Sequence, residues 1–112
     1  MTTFIGLAIA DSMFPENGFF YRHPLTVEEV QKLAKNAVSC CNPSHANSLV
    51  ALEKKHGIHV DAPEKAPKVS LQRGDSIIVL SIRGLPRETR EFTDAEVADA
   101  TFAFGIWTEI QY

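Results

Sequence analysis

The sequence predicts a small α/β (α+β) domain, a mixed sheet of four or five strands packed by two or three helices. Three observations carry that prediction. Apolar runs too short for helices lie near the start, in the second half and at the end of the chain: Phe4–Ala10, Ile77–Ile82 and Phe102–Ile110. Two capping boxes, Thr26 with Glu29 and Thr93 with Glu96, each open a helical pattern. A third helix start stands between them at Asn42-Pro43, where Asn suits the N-cap and Pro the first helical position. The chain has 112 residues, 45% of them hydrophobic, and no internal repeat, so residues 1–112 read as a single domain with a modest core.

In chain order, Phe4–Ala10 is read as a central strand, Pro15–Gly18 as a turn and Phe19–Tyr21 as a short edge strand. The first helix follows Thr26 and runs to about Ala37, with Leu25 and Val30 as its hydrophobic staple. Its buried face is expected to be Val27, Val30, Leu33 and Ala34. The second helix spans about Pro43–His56, with Gly57 as its stop. Ile58–Val60 is an extended piece, and Pro63 and Pro67 hold the next stretch in a loop. Val69–Leu71, the turn Arg73-Gly74-Asp75 and Ser76–Ile82 read as a hairpin. Its second strand is apolar on both faces and therefore central. Gly84-Leu85-Pro86 breaks that strand, Arg87–Glu91 is a charged loop, and a short helix after Thr93 runs to about Ala100. In the closing strand Phe102, Phe104, Ile106 and Ile110 share one face and Trp107 takes the other.

Charge and composition narrow the function. A formal charge of −3 argues against binding long DNA or RNA, which needs a basic face. A small phosphate ligand, which needs only a few local cations, is allowed. No apolar run reaches the roughly 18–20 residues of a membrane span, and the start lacks a signal-peptide pattern, so a cytoplasmic location is expected. Cys40 and Cys41 are adjacent, a geometry that strains a disulfide, and read as two reduced, partly buried thiols.

Four histidines are present. His23 precedes a proline in a presumed loop, His56 ends a helix and His59 lies in an extended piece, so all three read as surface or structural. His56 and His59 are three apart, but no cysteine or carboxylate motif completes a zinc set, and no metal or cofactor is expected. His45 is different. It stands in the first turn of the second helix, where free N–H groups and the helix dipole attract anions. There it could donate a proton to a phosphate ester. Arg83, at the carboxyl end of the second apolar strand, could hold a phosphate bidentately. The alternatives are a solvated first-turn histidine and a solvated charged loop.

Ser44-His45-Ala46-Asn47-Ser48, followed by Leu49-Val50 and Gly57, resembles the Gly-His-x-Ser/Ala-Thr helix start of a small viral family. These are the viral anti-CRISPR ring nucleases of type III systems, first seen in archaeal viruses. The resemblance continues through Arg73-Gly74-Asp75, the strand ending Ser81-Ile82-Arg83, the loop Leu85-Pro86-Arg87-Glu88, the Thr93–Glu96 box and the strand through Trp107. It spans roughly Asn36 to Tyr112, and order and spacing carry it.

That resemblance implies a homodimeric, metal-independent enzyme that opens cyclic tetra-adenylate, the second messenger of type III CRISPR defence. The ribose 2′-OH attacks its own phosphodiester while a histidine protonates the 5′-oxygen. His45 matches that histidine, Arg83 the arginine that steadies the phosphate, and Glu88 a nearby catalytic glutamate. Ser44, Asn47, Ser48 and Arg87 are the expected ligand contacts. Ser44 and Ser48 depart from the family's glycine and threonine. The family's asparagine near the end of the first strand has no counterpart around Leu7–Asp11, which bears on ring size and base. Two other functions fit the same sequence: a non-cleaving binder of the ring, and an unrelated small regulatory or interaction domain.

Overall fold

The computed structural model describes residues 2–7, 13–14, 19–65, 68–72, 74–85 and 91–110. The expected turn Pro15–Gly18, residues Ala8–Ala10 of the first strand, Pro67, Arg73 and the loop residues 86–90 lie outside the described residues. Five strands form one sheet: β1 (Thr3–Gly6), β2 (Phe19–Leu25), β3 (Val38–Ser39), β4 (Ser76–Arg83) and β5 (Thr101–Ile110), in the order β2-β5-β4-β1-β3. β1 runs parallel to both β3 and β4, and β5 runs antiparallel to β4 and β2. Three α-helices accompany them, α1 (Val27–Leu33), α2 (Ala46–His56) and α3 (Asp94–Asp99). The α+β class and the mixed sheet are as the sequence predicts.

Local signals placed the helices well. Both capping boxes form: Thr26 Oγ1 accepts from the Glu29 N–H while the Glu29 carboxylate accepts from the Thr26 N–H, and Thr93 and Glu96 repeat the pattern. That bond to Thr26 holds the Glu29 carboxyl below its ordinary pKa. α2 ends on Gly57, whose φ of 66° is the left-handed conformation glycine adopts at least cost.

The helices pack on one face of the sheet. Val30 of α1 and Leu49 and Leu52 of α2 meet Ile5, Ile78, Leu80 and Phe104, with Ile58 and Val60 closing the layer. α3 lies against α2 through Ala51, Val97 and Phe92. The other face carries Phe4, Ile77 and Trp107 beneath Phe14, Phe20 and Leu71. Phe102, Phe104 and Ile106 therefore face the helices and Trp107 the opposite side, the alternation expected of the closing strand.

Several expectations need correction. The hairpin does not form: described residues 68–72 include no strand, and β4 has β1 on one side and β5 on the other. Its turn is nevertheless real, because the Asp75 N–H donates to the Gln72 carbonyl at 2.9 Å and Gly74 has φ 87°. With both edges of β4 occupied, Leu71 is left to cover the sheet, its N–H donating to the Met13 carbonyl at 2.7 Å. The edge strand is longer than Phe19–Tyr21 and takes in His23 and Pro24, which the sequence alone assigns to a loop. An edge position tolerates a proline that a central strand would not. β3 was not expected at all, since two residues give no periodicity. Leu33 is exposed, because α1 gives way there to a 3-10 turn, Ala34–Asn36, that rotates its face off the sheet. Residues 58–60, expected to be an extended piece, belong to no strand among the described residues.

Candidate functional site

Parallel strands gather the candidate residues at one end of the sheet. β1, β3 and β4 all point the same way, so Leu7, Ser39 and Arg83 mark a common carboxyl edge. From Ser39 the chain passes through Cys40–Asn42 and starts α2, which places the helix N-terminus at that edge too. Ligands in open α/β sheets favour this edge. The connection is tied down by β1: the Cys40 N–H donates to the Ile5 carbonyl at 2.9 Å, and both thiols approach the same oxygen at 3.4 and 3.9 Å. Burial, reinforced by the neighbouring Cys41, pushes the Cys40 thiol up to about 11. It therefore stays protonated and unreactive at neutral pH, as two structural thiols should.

A cleft of about 440 Å³ opens at this edge, lined by Leu7, Ser48, Val79–Ile82 and Leu85. Its size lies within the roughly 300–1,000 Å³ of small-molecule sites. Ser48 enters it from the first turn of α2 and is buried. His45, three residues earlier in the chain, is half-buried. Arg83 follows directly on the lining residue Ile82 and is exposed.

The start of α2 differs from its sequence reading in one respect. Pro43–His45 form a 3-10 turn and the α-helix begins at Ala46, so His45 holds the cap position instead of the first turn. That turn engages its own donors. Asn42 Oδ1 accepts from the Ser44 N–H and the Asn42 carbonyl from the His45 N–H, both at 2.9 Å, and the Pro43 carbonyl accepts from the Ala46 N–H. These N–H groups are therefore engaged within the turn and unavailable to an anion.

Ser44 is exposed beside the turn. Asn47 is turned away from the cleft and lines a separate cavity of about 50 Å³ with Ala51, Lys54 and Phe92. Arg87 and Glu88 lie outside the described residues. Sequence reasoning missed Leu7, Ser81 and Leu85 as lining residues. Ser81 carried a usable signal, being the one polar residue inside the run Ile77–Ile82.

The remaining histidines have structural environments. His56 packs edge-on against Phe102 and Phe104, with ring centroids 5.6 and 6.2 Å away, and burial lowers its pKa with help from Lys55. His59 hydrogen-bonds Asp61 at 2.9 Å and Glu53 at 3.0 Å, which raises its pKa. Tyr21 stacks on His23 in the edge strand. Among the described residues no cluster of three or more His, Cys, Asp or Glu could hold a metal ion, and no helix is long and apolar enough to cross a membrane.

No family model and no curated protein matches the sequence. Among solved structures, B116 of Sulfolobus turreted icosahedral virus has a similar fold, with a TM-score of 0.67 and 14% sequence identity. The match covers 96% of this chain and 99% of that one. The likeness shows that the two proteins share a fold.

Proposed function

We propose that the protein is a viral ring nuclease that cleaves a cyclic oligoadenylate, cyclic tetra-adenylate in the first instance, and so switches off type III CRISPR signalling in the cytoplasm of an infected cell. The observation that carries this reading is the cleft at the carboxyl edge of β4, lined by Ser48 of α2 and by Val79–Ile82, with His45 three residues before Ser48 in the chain and Arg83 next after Ile82. Two independent likenesses support it: the sequence resembles a family first seen in archaeal viruses, and the fold resembles a protein of an archaeal virus.

In this reading Arg83 pairs with the scissile phosphate and Ser48 hydrogen-bonds beside it. The ribose 2′-OH forms a new bond to phosphorus, the P–O5′ bond breaks, and His45 delivers a proton to the departing 5′-oxygen. The products are a 2′,3′-cyclic phosphate and a 5′-hydroxyl, and the displaced 2′-OH proton passes to solvent. An internal nucleophile needs chiefly positioning and a general acid, which one His and one Arg can supply. A cleft of about 440 Å³ holds about one nucleotide and not a ring of four. Two copies related by a two-fold axis would present the site twice to a symmetric ring, which is why we propose a homodimer.

The test is incubation with cyclic oligoadenylates of different ring size in EDTA, resolved by chromatography. The reading expects linear products ending in 2′,3′-cyclic phosphate. An intact ring retained by the protein would instead identify a non-cleaving binder, and neither outcome an unrelated regulatory domain.

A further inference from the structure

We infer that Arg22 is a second phosphate-binding residue, seated on the sheet by Gly105, and that a ligand with two or more phosphodiester groups spans Arg22 and Arg83. The inference rests on the ring-nuclease reading for the phosphate at Arg83, while the place of Arg22 comes from the sheet itself. Gly105 lies inside β5, opposite Val79 of β4 on one side and Pro24 of β2 on the other. Glycine weakens a doubly paired strand and often marks a point where another group comes close. The backbone does not require it: Gly57, Gly74 and Gly84 have positive φ among the described residues, and Gly105 does not. A Cβ there would stand 2.9 Å from Arg22 Nη2 and 3.0 Å from its Cζ and Nε. The guanidinium therefore lies across the bare glycine, which is buried beneath it.

Strand alternation settles which face carries Arg22. Phe104 and Ile106 face the helices, so Gly105 between them shares the opposite face with Trp107. Directly opposed residues of an antiparallel pair also share a face, which adds Val79, then Ser81 beside Ala103 and Arg83 beside Thr101. Arg22, Ser81, Arg83, Thr101 and Ala103 are all exposed. Val79 and Ser81 line the cleft, so this face is continuous with it. Arg22 also leans away from a carboxylate. It stands opposite Trp107, with Gly105 two residues along β5 in one direction and Glu109 two residues along in the other. An arginine held only by an ion pair would lean toward Glu109. Arg22 leans toward the end of the sheet that carries Arg83, and no carboxylate among the described residues pairs with either guanidinium.

Two cations on one half of a sheet face favour an anionic ligand. A guanidinium presents a planar fork of N–H donors that matches phosphate bidentately. From Val79, level with the Arg22 guanidinium, to Arg83 is four residues, about 13 Å of strand. One phosphate cannot bridge that span, and successive phosphodiesters can. Ser81, between the two, adds a hydroxyl donor. A mononucleotide therefore engages Arg83 alone, whereas a longer adenylate engages both arginines and is held in register with the scissile bond.

The test compares two probes, adenosine 5′-monophosphate and linear 5′-phosphorylated tri-adenylate, by calorimetric titration of the full-length protein at several salt concentrations. Arg22→Gln should weaken tri-adenylate binding about 3- to 30-fold, the range from an exposed ion pair to a charge-assisted hydrogen bond. It should also flatten the log–log salt dependence by about 0.7 and leave the mononucleotide unaffected. Gly105→Ala, whose Cβ takes the place of the guanidinium, should reproduce that loss in a protein that circular dichroism shows to be folded. Unchanged tri-adenylate binding in Arg22→Gln, an equal loss for both probes, or full tri-adenylate binding by folded Gly105→Ala would overturn the inference. Cleavage of the cyclic ring is scored separately. A ring cut by a protein whose tri-adenylate binding is indifferent to Arg22 removes this inference alone. Arg22-dependent tri-adenylate binding by a protein that cuts no ring removes the ring-nuclease reading alone.

Discussion

The two ends of β4 are built differently. At its start the backbone is closed: the Asp75 carboxylate, 7% exposed, accepts from the Thr2 N–H at 2.9 Å and from the Gln72 N–H at 2.8 Å. Ser76 binds the Thr2 carbonyl, and Ile77 is sealed beneath Trp107, Phe14 and Leu71. At its finish the strand borders a cleft, and Ser81 and Arg83 are exposed. One strand is thus tied down at one end and solvent-facing at the other. The lesson is that a central strand need not be equally buried along its whole length.

This contrast predicts that changes at the open end alter function with little effect on stability, and changes at the closed end do the reverse. The largest effect is expected for His45→Ala, which should slow ring cleavage by about 10²- to 10⁴-fold while the intact ring still binds, because a general acid acts in the transition state. Single-turnover cleavage set beside equilibrium binding checks this; unchanged cleavage would break the assignment. Arg83→Ala should weaken binding and cleavage together by about tenfold or more, since charge pairing with phosphate acts in the ground state as well. A loss confined to turnover would move Arg83 to a different role.

At the closed end Asp75→Ala leaves the Thr2 and Gln72 N–H groups without their acceptor and should cost about 1–3 kcal/mol of stability. Chemical denaturation measures it, and cleavage per folded molecule should match that of the unaltered protein. The smallest effect concerns His59, exposed between Asp61 and Glu53. Its raised pKa means that its contribution is fully present below the unfolded value of 6.5 and is lost as pH rises through the folded value. His56, lowered by burial, acts in the opposite sense: its contribution is present above 6.5 and is lost as pH falls below it. His59→Gln should therefore flatten the melting-temperature profile on the alkaline side of 6.5 and leave the acid side to His56. Screening by solvent keeps the His59 effect small.

What the sequence determined by itself is what neighbouring residues decide among themselves. Thr26 with Glu29, Thr93 with Glu96 and Asn42-Pro43 marked helix starts because each cap is completed within a few residues. The alternation of Phe102, Phe104 and Ile106 against Trp107 assigned the faces of β5, and the continuous run Ile77–Leu80 placed β4 inside the sheet. His45 and Arg83 were legible as candidates because each sits at the end of such an element.

Only the tertiary structure decided which strands meet. Val69–Leu71 had a sound turn before β4 and still formed no strand, because β1 and β5 occupied both of its edges. β3, two residues long, exists only because β1 offers it a partner. The direction of Asn47 away from the cleft, the 3-10 turn that consumes the N–H groups of Ser44 to Ala46, and the cleft itself follow from packing and register. The physical reason is distance along the chain. A cap or an alternation is an interaction among near neighbours, whereas the cleft depends on how β1 meets β4, a pairing of residues more than seventy positions apart.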